Sequence, residues 1–268
     1  YMPQLGEDGW NLAYGFANLL RTDRRGDWYD DRGNLLESLD FEYLPATTTR
    51  IGAHPENPLM PRVGNTGYSL NFGTSPLAGG TGLESGGVAG FLLEPVHGDF
   101  TARKSLHFFP DGYWALGSAI NSSAGLVESR PVVTPVLQRP VGAEAVLVVN
   151  GTERPLPSGA VESLPEVQWI WVDGTGVVFR DPVSLSLRHR EGVLSAWLDH
   201  GPRPAGALYA YAFLPVMEQA ETAAFAADPP VLPVWHDARI HGVTNRRQLN
   251  DSLVFFEAGN AAGIKAEQ

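Results

Sequence analysis

The sequence contains no cysteine among its 268 residues. This absence excludes disulfide bonds, catalysis by a thiol and zinc sites with cysteine ligands. Long apolar stretches are missing as well, because no run approaches the roughly 18 to 20 residues that a membrane-spanning helix needs. The sequence therefore predicts no membrane-embedded part.

Positive charge is scarce. The chain has 19 lysines and arginines against 30 aspartates and glutamates, which gives a formal net charge of −11 at pH 7. Nucleic acids and anionic membrane surfaces are not attracted to an acidic protein, so neither is predicted as a partner. A local cluster of arginines can still oppose the overall sign, and an acidic sugar polymer is therefore compatible with this composition.

Glycine and proline, by contrast, are abundant. Thirty glycines and 21 prolines are spread through a chain that is 43% hydrophobic, which indicates many short strands and turns. Strands are predicted at residues 86–93, 132–138, 143–149, 168–172, 176–179, 183–188, 193–199, 208–214, 231–234 and 253–257. One alanine-rich helix is predicted at residues 218–227, ended by Asp-Pro-Pro. The pattern predicts an all-β fold with very little helix, an antiparallel sandwich of large sheets in a single domain over residues 1–268.

Residues 101–120 form the clearest local unit, a hairpin around Pro110-Asp111-Gly112. The first arm alternates two unlike faces, with Arg103, Ser105 and His107 on one of them. The second arm is mostly apolar at residues 113–117, as expected for a strand that is covered on both sides.

Familiar catalytic patterns are incomplete. Residues 79–82 (Gly-Gly-Thr-Gly) lack the lysine and the following helix of a phosphate loop. Ser118 lacks the second glycine of a nucleophile elbow. His236 and His241 are the closest histidine pair in the chain, but their spacing does not match two metal ligands on one helix face. We therefore interpret the histidines as structural or surface residues.

Adjacent carboxylates occur twice near the start of the chain, at Glu7-Asp8 and Asp30-Asp31. Neighbours on an extended chain point to opposite faces, so neither pair is a natural acid–base dyad for a glycosidic bond. The aspartate-rich residues 27–31 supply oxygen ligands of the type that calcium prefers. Their spacing does not support a structural calcium ion, and we predict no cofactor.

Aromatic and arginine side chains near the N-terminus suit a carbohydrate. Trp10 and Tyr43 can stack on sugar rings, and arginines can hold a carboxylate in a bidentate contact. The candidate arginines are Arg21, Arg24 and Arg25. The residues alone indicate a β-sandwich that faces carbohydrate.

Several segments, taken in order, resemble the central β-domain of polysaccharide lyase family 8, which contains hyaluronate, chondroitin AC and xanthan lyases. Residues 6–10 (Gly-Glu-Asp-Gly-Trp) are similar to that family's Asn-Gly-Glu-Asn segment, and residues 41–49 to its Tyr-x-x-Leu-Pro-Gly-Thr-Thr stretch. Further similar segments are residues 86–90, 102–105, 115–120, 135–139, 173–179, 200–202 and 209–215. They cover most of the chain.

The resemblance implies a supersandwich of the galactose-mutarotase type. It also implies β-elimination of a uronic-acid-containing polysaccharide by a secreted or periplasmic bacterial enzyme. In that family an α/α-toroid carries the main catalytic residues, and nothing here resembles its helices. The chain opens Tyr-Met-Pro-Gln, without a signal peptide or evident initiator, so we expect a piece of a larger lyase. Its partner would be a helical toroid, in the same polypeptide or in a companion chain.

The resemblance carries a glutamate of the family's β-domain over to Glu7, as a catalytic residue, and places Asp8 beside it. Together with the aromatic and arginine side chains above, the predicted substrate contacts are Asp8, Trp10, Arg21, Arg24, Arg25 and Tyr43. Asp8 departs from the family's asparagine, and an ionised aspartate repels a uronate carboxylate where an amide would donate to it. Two alternatives stay open. One is a non-catalytic carbohydrate-binding or structural module of the same fold. The other is a mutarotase-like epimerase using His107 and Glu94.

Overall fold

A computed structural model describes Ala17 and residues 40–51, 77–95, 99–123, 129–142, 144–261 and 263–266. Of these residues, 62% lie in strands and 6% in helices, and the sheets are large, antiparallel and curled. The predicted all-β supersandwich class is confirmed. No helix within the described ranges is long and apolar enough to cross a membrane.

Most of the strands belong to one antiparallel sheet of twelve. Its strands are β1 (Thr49–Arg50), β2 (Ala78–Leu83), β3 (Gly86–Leu93), β4 (Phe100–Phe109), β5 (Gly112–Ser122), β6 (Val132–Pro140), β7 (Leu147–Val149), β8 (Thr152–Arg154), β9 (Glu162–Val172), β10 (Thr175–Arg190), β11 (Val193–Asp199) and β12 (Ala205–Leu214). The strand order is β1-β6-β11-β10-β12-β5-β4-β3-β2, and β7, β8 and β9 branch from β10.

Strand β10 joins the two halves of this sheet. Its first part, residues 176–179, pairs with β12, and its last part, residues 186–190, pairs with β11. Strand β9 pairs with both parts of β10, and the register of this pairing shifts between residues 178 and 185 of β10. The irregularity bends the long strand, so one sheet supplies both walls of the main core.

The main core lies between these walls. Alternation along β5 divides its side chains between two apolar clusters. Tyr113 and Ala115 belong to the main core, and Trp114 and Leu116 belong to a second cluster on the opposite face. Strand β5 is thus covered on both sides, as its apolar sequence predicts.

The C-terminal part of the chain covers the second cluster. Helix α1 (Gln219–Ala227) starts with a capping box made by Glu218 and Glu221 and packs on β9 and β10. It is followed by a three-stranded sheet of β13 (Val231–His236), β14 (Ile240–Asn245) and β15 (Asn250–Phe255). We call this the small sheet. A short hairpin of β16 (Gly259–Ala261) and β17 (Ile264–Ala266) follows.

The structure confirms β3 and β11 at their predicted bounds and the helix to within one residue. The predicted hairpin is also present, and a Cβ at Gly112 would overlap the carbonyl oxygen of Phe213. Several predicted bounds need correction. Residues 176–179 and 183–188 are one strand, and β7 covers only the last three residues of the predicted 143–149 segment. Strand β9 begins six residues before the predicted 168–172 segment, β15 spans residues 250–255 instead of 253–257, and β14 was not predicted. Residues 79–82 lie in strand β2, which leaves no phosphate loop there.

Candidate functional site

Most of the predicted site residues lie outside the described residues. These are Glu7, Asp8, Trp10, Arg21, Arg24 and Arg25, and the aspartate-rich stretch 27–31 lies there too. Their roles stay predictions. Within the described ranges, no group of three or more histidine, aspartate or glutamate side chains is arranged to hold a metal ion.

Tyr43 is the one predicted substrate contact that the structure describes. It ends a 3-10 helix (Phe41–Tyr43) and is 4% exposed. Its ring centroid lies 4.6 Å from that of Trp197, and the guanidinium carbon of Arg188 lies 4.7 Å from the ring centre. Burial raises the pKa of Tyr43 to about 12, so its phenol stays protonated at neutral pH. The ring packs in a small buried cluster, and a contact with substrate stays a prediction.

Polar contacts fix this short helix on the main sheet. Asp40 caps it by accepting a hydrogen bond from the backbone N–H of Glu42 at 3.0 Å. The same carboxylate pairs with Arg188 at 2.6 Å, and the Gln138 amide donates to the Asp40 carbonyl at 2.8 Å. The segment that resembles the family's Leu-Pro-Gly-Thr-Thr motif is therefore held rigidly against β6 and β10.

A buried polar cluster lies directly after that helix. The Lys104 ammonium is 3% exposed and donates to the Ala46 carbonyl at 2.5 Å and to the Thr48 hydroxyl at 3.0 Å. Thr48 contacts Thr134, whose hydroxyl lies 2.9 Å from Nε2 of His200. Burial lowers the pKa of Lys104 well below its usual range and that of His200 to about 4. Lys104 and His200 lie in segments that resemble the family, but their meeting in a buried cluster could not be predicted from the sequence, because a single lysine on a strand is typical of a surface residue.

A second set of buried polar groups joins the main sheet to the small sheet. In order along the chain of contacts it consists of Ser252, His107, Ser105, His241 and Ser118, and we call it the histidine relay. The four successive distances are 2.7, 3.0, 2.8 and 2.8 Å. His107 is 1% exposed and His241 is fully buried.

The hydrogen-bond donors in the relay follow from its last contact. The Ser118 hydroxyl donates to the Asp237 carbonyl at 2.9 Å, so its oxygen must accept from Nε2–H of His241. Nδ1 of His241 then accepts from Ser105. Ser105 in turn accepts from Nε2–H of His107.

The remaining contact fixes the other end of the relay. Because Nε2 of His107 carries the proton, its Nδ1 accepts from the Ser252 hydroxyl. This pattern requires both imidazoles to be neutral. Burial ensures it, since it lowers the pKa of His107 to about 3 and that of His241 to about 2.

His236 supports the same junction. It pairs with His241 across the β13–β14 hairpin, and the two ring centroids are 5.2 Å apart. Its Nε2 lies 2.9 Å from the Gly117 carbonyl of β5. The prediction of structural histidines holds for His107, His236 and His241, but sequence spacing did not reveal that they meet.

The epimerase pair of the second alternative is not brought together. On β4, His107 pairs with Val88, whereas Glu94 follows Leu93, which pairs with Ala102. Glu94 is therefore six residues along the strand from the position opposite His107, which is about 20 Å at 3.3 Å per residue. His107 and Glu94 therefore do not share a pocket.

Comparison with known proteins identifies the family of this chain. The profile "Polysaccharide lyase family 8, super-sandwich domain" matches residues 2–193, well over half of the sequence. The chain belongs to polysaccharide lyase family 8. The matched range contains the predicted site residues and strands β1–β10. Strand β12, helix α1 and the small sheet come after the matched range.

One relative and two solved structures are similar to this chain. The xanthan lyase of Bacillus sp. (strain GL1) is 27% identical over 190 aligned residues, an alignment that covers 60% of this chain and 20% of that protein. Paenibacillus xanthan lyase superposes with a TM-score of 0.76 at 24% identity, over 94% of this chain and 25% of that one. A Streptomyces coelicolor A3 chondroitin AC lyase gives 0.67 at 22%, over 95% and 33%. The chain thus spans a fifth to a third of the length of these relatives.

Proposed function

We propose that this chain is the supersandwich portion of a polysaccharide lyase that cleaves a uronic-acid-containing polysaccharide by β-elimination. The observation that carries the proposal is the family 8 match over residues 2–193, together with lyases among its relatives. The names of these relatives, xanthan lyase and chondroitin AC lyase, support the proposed substrate class.

In such a reaction a base removes the proton at C5 of the uronate. The electron pair of the C5–H bond forms the C4–C5 double bond, the C4–O bond breaks, and an acid protonates the leaving oxygen. The carboxylate must be neutralised or hydrogen-bonded, because charge develops on it when C5 loses its proton. The reaction needs no bound cofactor to balance.

We assign the N-terminal residues to this reaction. Glu7 is the catalytic residue that we propose for this chain. The proposed substrate contacts are Asp8, Trp10, Arg21, Arg24, Arg25 and Tyr43. The arginines would neutralise the uronate carboxylate by bidentate contact. Asp8 would favour a hydroxyl of the sugar over its carboxylate, since an ionised aspartate accepts and does not donate.

The main acid and base are proposed to lie on a helical partner, outside these 268 residues. Two observations support this division. The chain covers only 20% of the Bacillus xanthan lyase. His107 and His241, the relay histidines, are buried and keep low pKa values, so neither can reach a polymer as a base. A secreted or periplasmic location would suit a polymeric substrate of this kind.

The test is the absorbance of the unsaturated uronyl product during incubation with xanthan, chondroitin and hyaluronan. The chain is assayed alone and co-expressed with the helical segment that we propose as its partner. Product only in the second assay supports the proposal. Product from the chain alone would contradict the division of catalytic residues, and glycan binding without product in either assay would favour the non-catalytic module.

A further inference from the structure

A cavity of about 290 Å³ lies between the small sheet and the strands at the β2 edge of the main sheet. Its walls come from β2, β3 and β4 on one side and from β14, β15 and the turn between them on the other. Ligand pockets span about 300 to 1,000 Å³. The volume of this cavity is close to that of the smallest such pockets.

Glycines shape one wall of this cavity. Strand β15 packs on β3 at Gly90, where an added Cβ would overlap the Val254 side chain. Four and three residues earlier on β3, Gly86 and Gly87 line the cavity with bare backbone. The small sheet is therefore close to β3 at one point and leaves a gap beside it.

The charge of the lining selects the type of ligand. Among the described residues that line the cavity there is no lysine or arginine, and the one acidic side chain is Asp251, whose carboxylate accepts from the Thr244 hydroxyl at 2.6 Å. His107 also lines it and is neutral as a member of the histidine relay. A carboxylate or sulfate would find no positive charge here and would meet Asp251, so an anionic sugar is disfavoured.

The polar groups of the lining suit hydroxyl groups. The two acceptors of the Ser252 proton lie within the protein, Nδ1 of His107 at 2.7 Å and the Val243 carbonyl at 3.5 Å, so the Ser252 oxygen can accept a hydrogen bond from a ligand. Gln248 and Asn250 add amides. The Gln248 oxygen accepts from Asn245 at 3.0 Å and from Asn250 at 3.5 Å, which leaves the Gln248 amino group to donate and the Asn250 oxygen to accept. Phe108, which is 36% exposed, provides an aromatic surface beside them.

We propose that this cavity binds a neutral pyranose unit. The sugar hydroxyls donate to Ser252 and Asp251, and the amides of Gln248 and Asn250 complete their hydrogen bonds. The C–H face of the ring lies against Phe108. This inference concerns residues outside the proposed catalytic segment, and it stands whether or not the chain takes part in a lyase.

The test is NMR titration of the isotopically labelled protein with the methyl glycosides of glucose, mannose and galactose, and with glucuronate as the charged comparison. We expect at least one neutral glycoside to shift the backbone amide signals of residues 85–88 and 248–252, with little effect of glucuronate. Absence of shifts with every neutral glycoside would overturn the proposal, as would equal binding of glucuronate.

Variants locate the site. The double variant Gln248→Ala/Asn250→Ala removes two exposed amides, one from the β14–β15 turn and one from the first residue of β15. It should weaken binding by about tenfold, through the loss of two hydrogen bonds to the sugar. Ser85→Trp, in the exposed turn between β2 and β3, should block the cavity without removing any contact of the small sheet. Gln168→Ala, an exposed glutamine on β9, is the matched control and should bind as the original chain does. Unchanged affinity in both cavity variants would contradict the site.

Discussion

At Ser118 a single hydroxyl group ends the histidine relay. It accepts from His241 and donates to the Asp237 carbonyl, and it is 1% exposed. We expect Ser118→Ala to lower the free energy of unfolding by about 1 to 3 kcal/mol, because the buried Nε2–H of His241 loses its acceptor and the Asp237 carbonyl loses its donor. Urea denaturation would measure the change.

Ser184→Ala is the control for this substitution. Ser184 is exposed on β10 and makes a 3.3 Å contact with Ser163. A change within about 0.5 kcal/mol is expected for it. Equal effects of the two substitutions would show that the relay does not contribute to stability as described.

Gly117 lies where there is no room for a side chain. A Cβ at this position on β5 would overlap the Tyr209 ring on the neighbouring strand β12. Gly117→Ala should therefore cost about 3 kcal/mol or more, since a buried ring must move in a packed core. Gly79→Ala is the matched control, because a Cβ there meets no atom within 4 Å. A thermal denaturation curve for Gly117→Ala that matches the curve for Gly79→Ala would contradict this explanation.

Glu7 carries the catalytic part of the proposed function. If it contributes to the elimination, Glu7→Gln in the chain joined to its helical partner should lower kcat by about 100-fold or more, with little change in the melting temperature. The control is Glu153→Gln on the exposed strand β8, which should leave kcat unchanged. Retention of full activity by Glu7→Gln would remove Glu7 from the mechanism.

At the scale of elements, the junction of the small sheet with β4 and β5 depends on neutral histidines. Their pKa values fall from 6.5 to about 3 for His107 and about 2 for His241 on folding. The unfolded chain therefore binds protons below pH 6.5 that the folded chain does not. The stabilisation is complete above pH 6.5, and each histidine reduces it by about 1.4 kcal/mol per pH unit as the pH falls towards about 3.

This linkage predicts a steep fall of the unfolding free energy between pH 6.5 and about 5. His107→Gln should reduce the slope by about 1.4 kcal/mol per pH unit, because glutamine can keep both hydrogen bonds and does not titrate. Denaturation curves at several pH values would measure both slopes. An unchanged slope in the variant would show that His107 binds its proton equally in both states.

Elements with strong local signals could be predicted from the sequence. Each of three elements has its signal within a few residues of sequence. Strand β3 is a short apolar run, the 110–112 turn consists of Pro-Asp-Gly, and helix α1 is followed by two prolines. Strand β10 could not be predicted whole, because Asp181-Pro182 looks like a break in sequence. In the structure those residues lie at the bend where β10 passes from one wall of the core to the other.

At the scale of the molecule, the buried polar sites could not be predicted. Ser105 and His241 are 136 residues apart, and His107 and Ser252 are 145 apart. Only the way the small sheet folds back on β4 and β5 brings them together, and no local pattern specifies that packing. The cavity depends on the same contact. The family, by contrast, could be recognised, because its motifs are short, ordered and local.

The central claim is that this fold serves an elimination reaction. Mass spectrometry of the oligosaccharides released by the chain with its helical partner tests it most directly. The account predicts products that end in an unsaturated uronyl residue and therefore lack one water relative to hydrolysis products. Saturated products would show hydrolysis instead and would contradict the proposed lyase function.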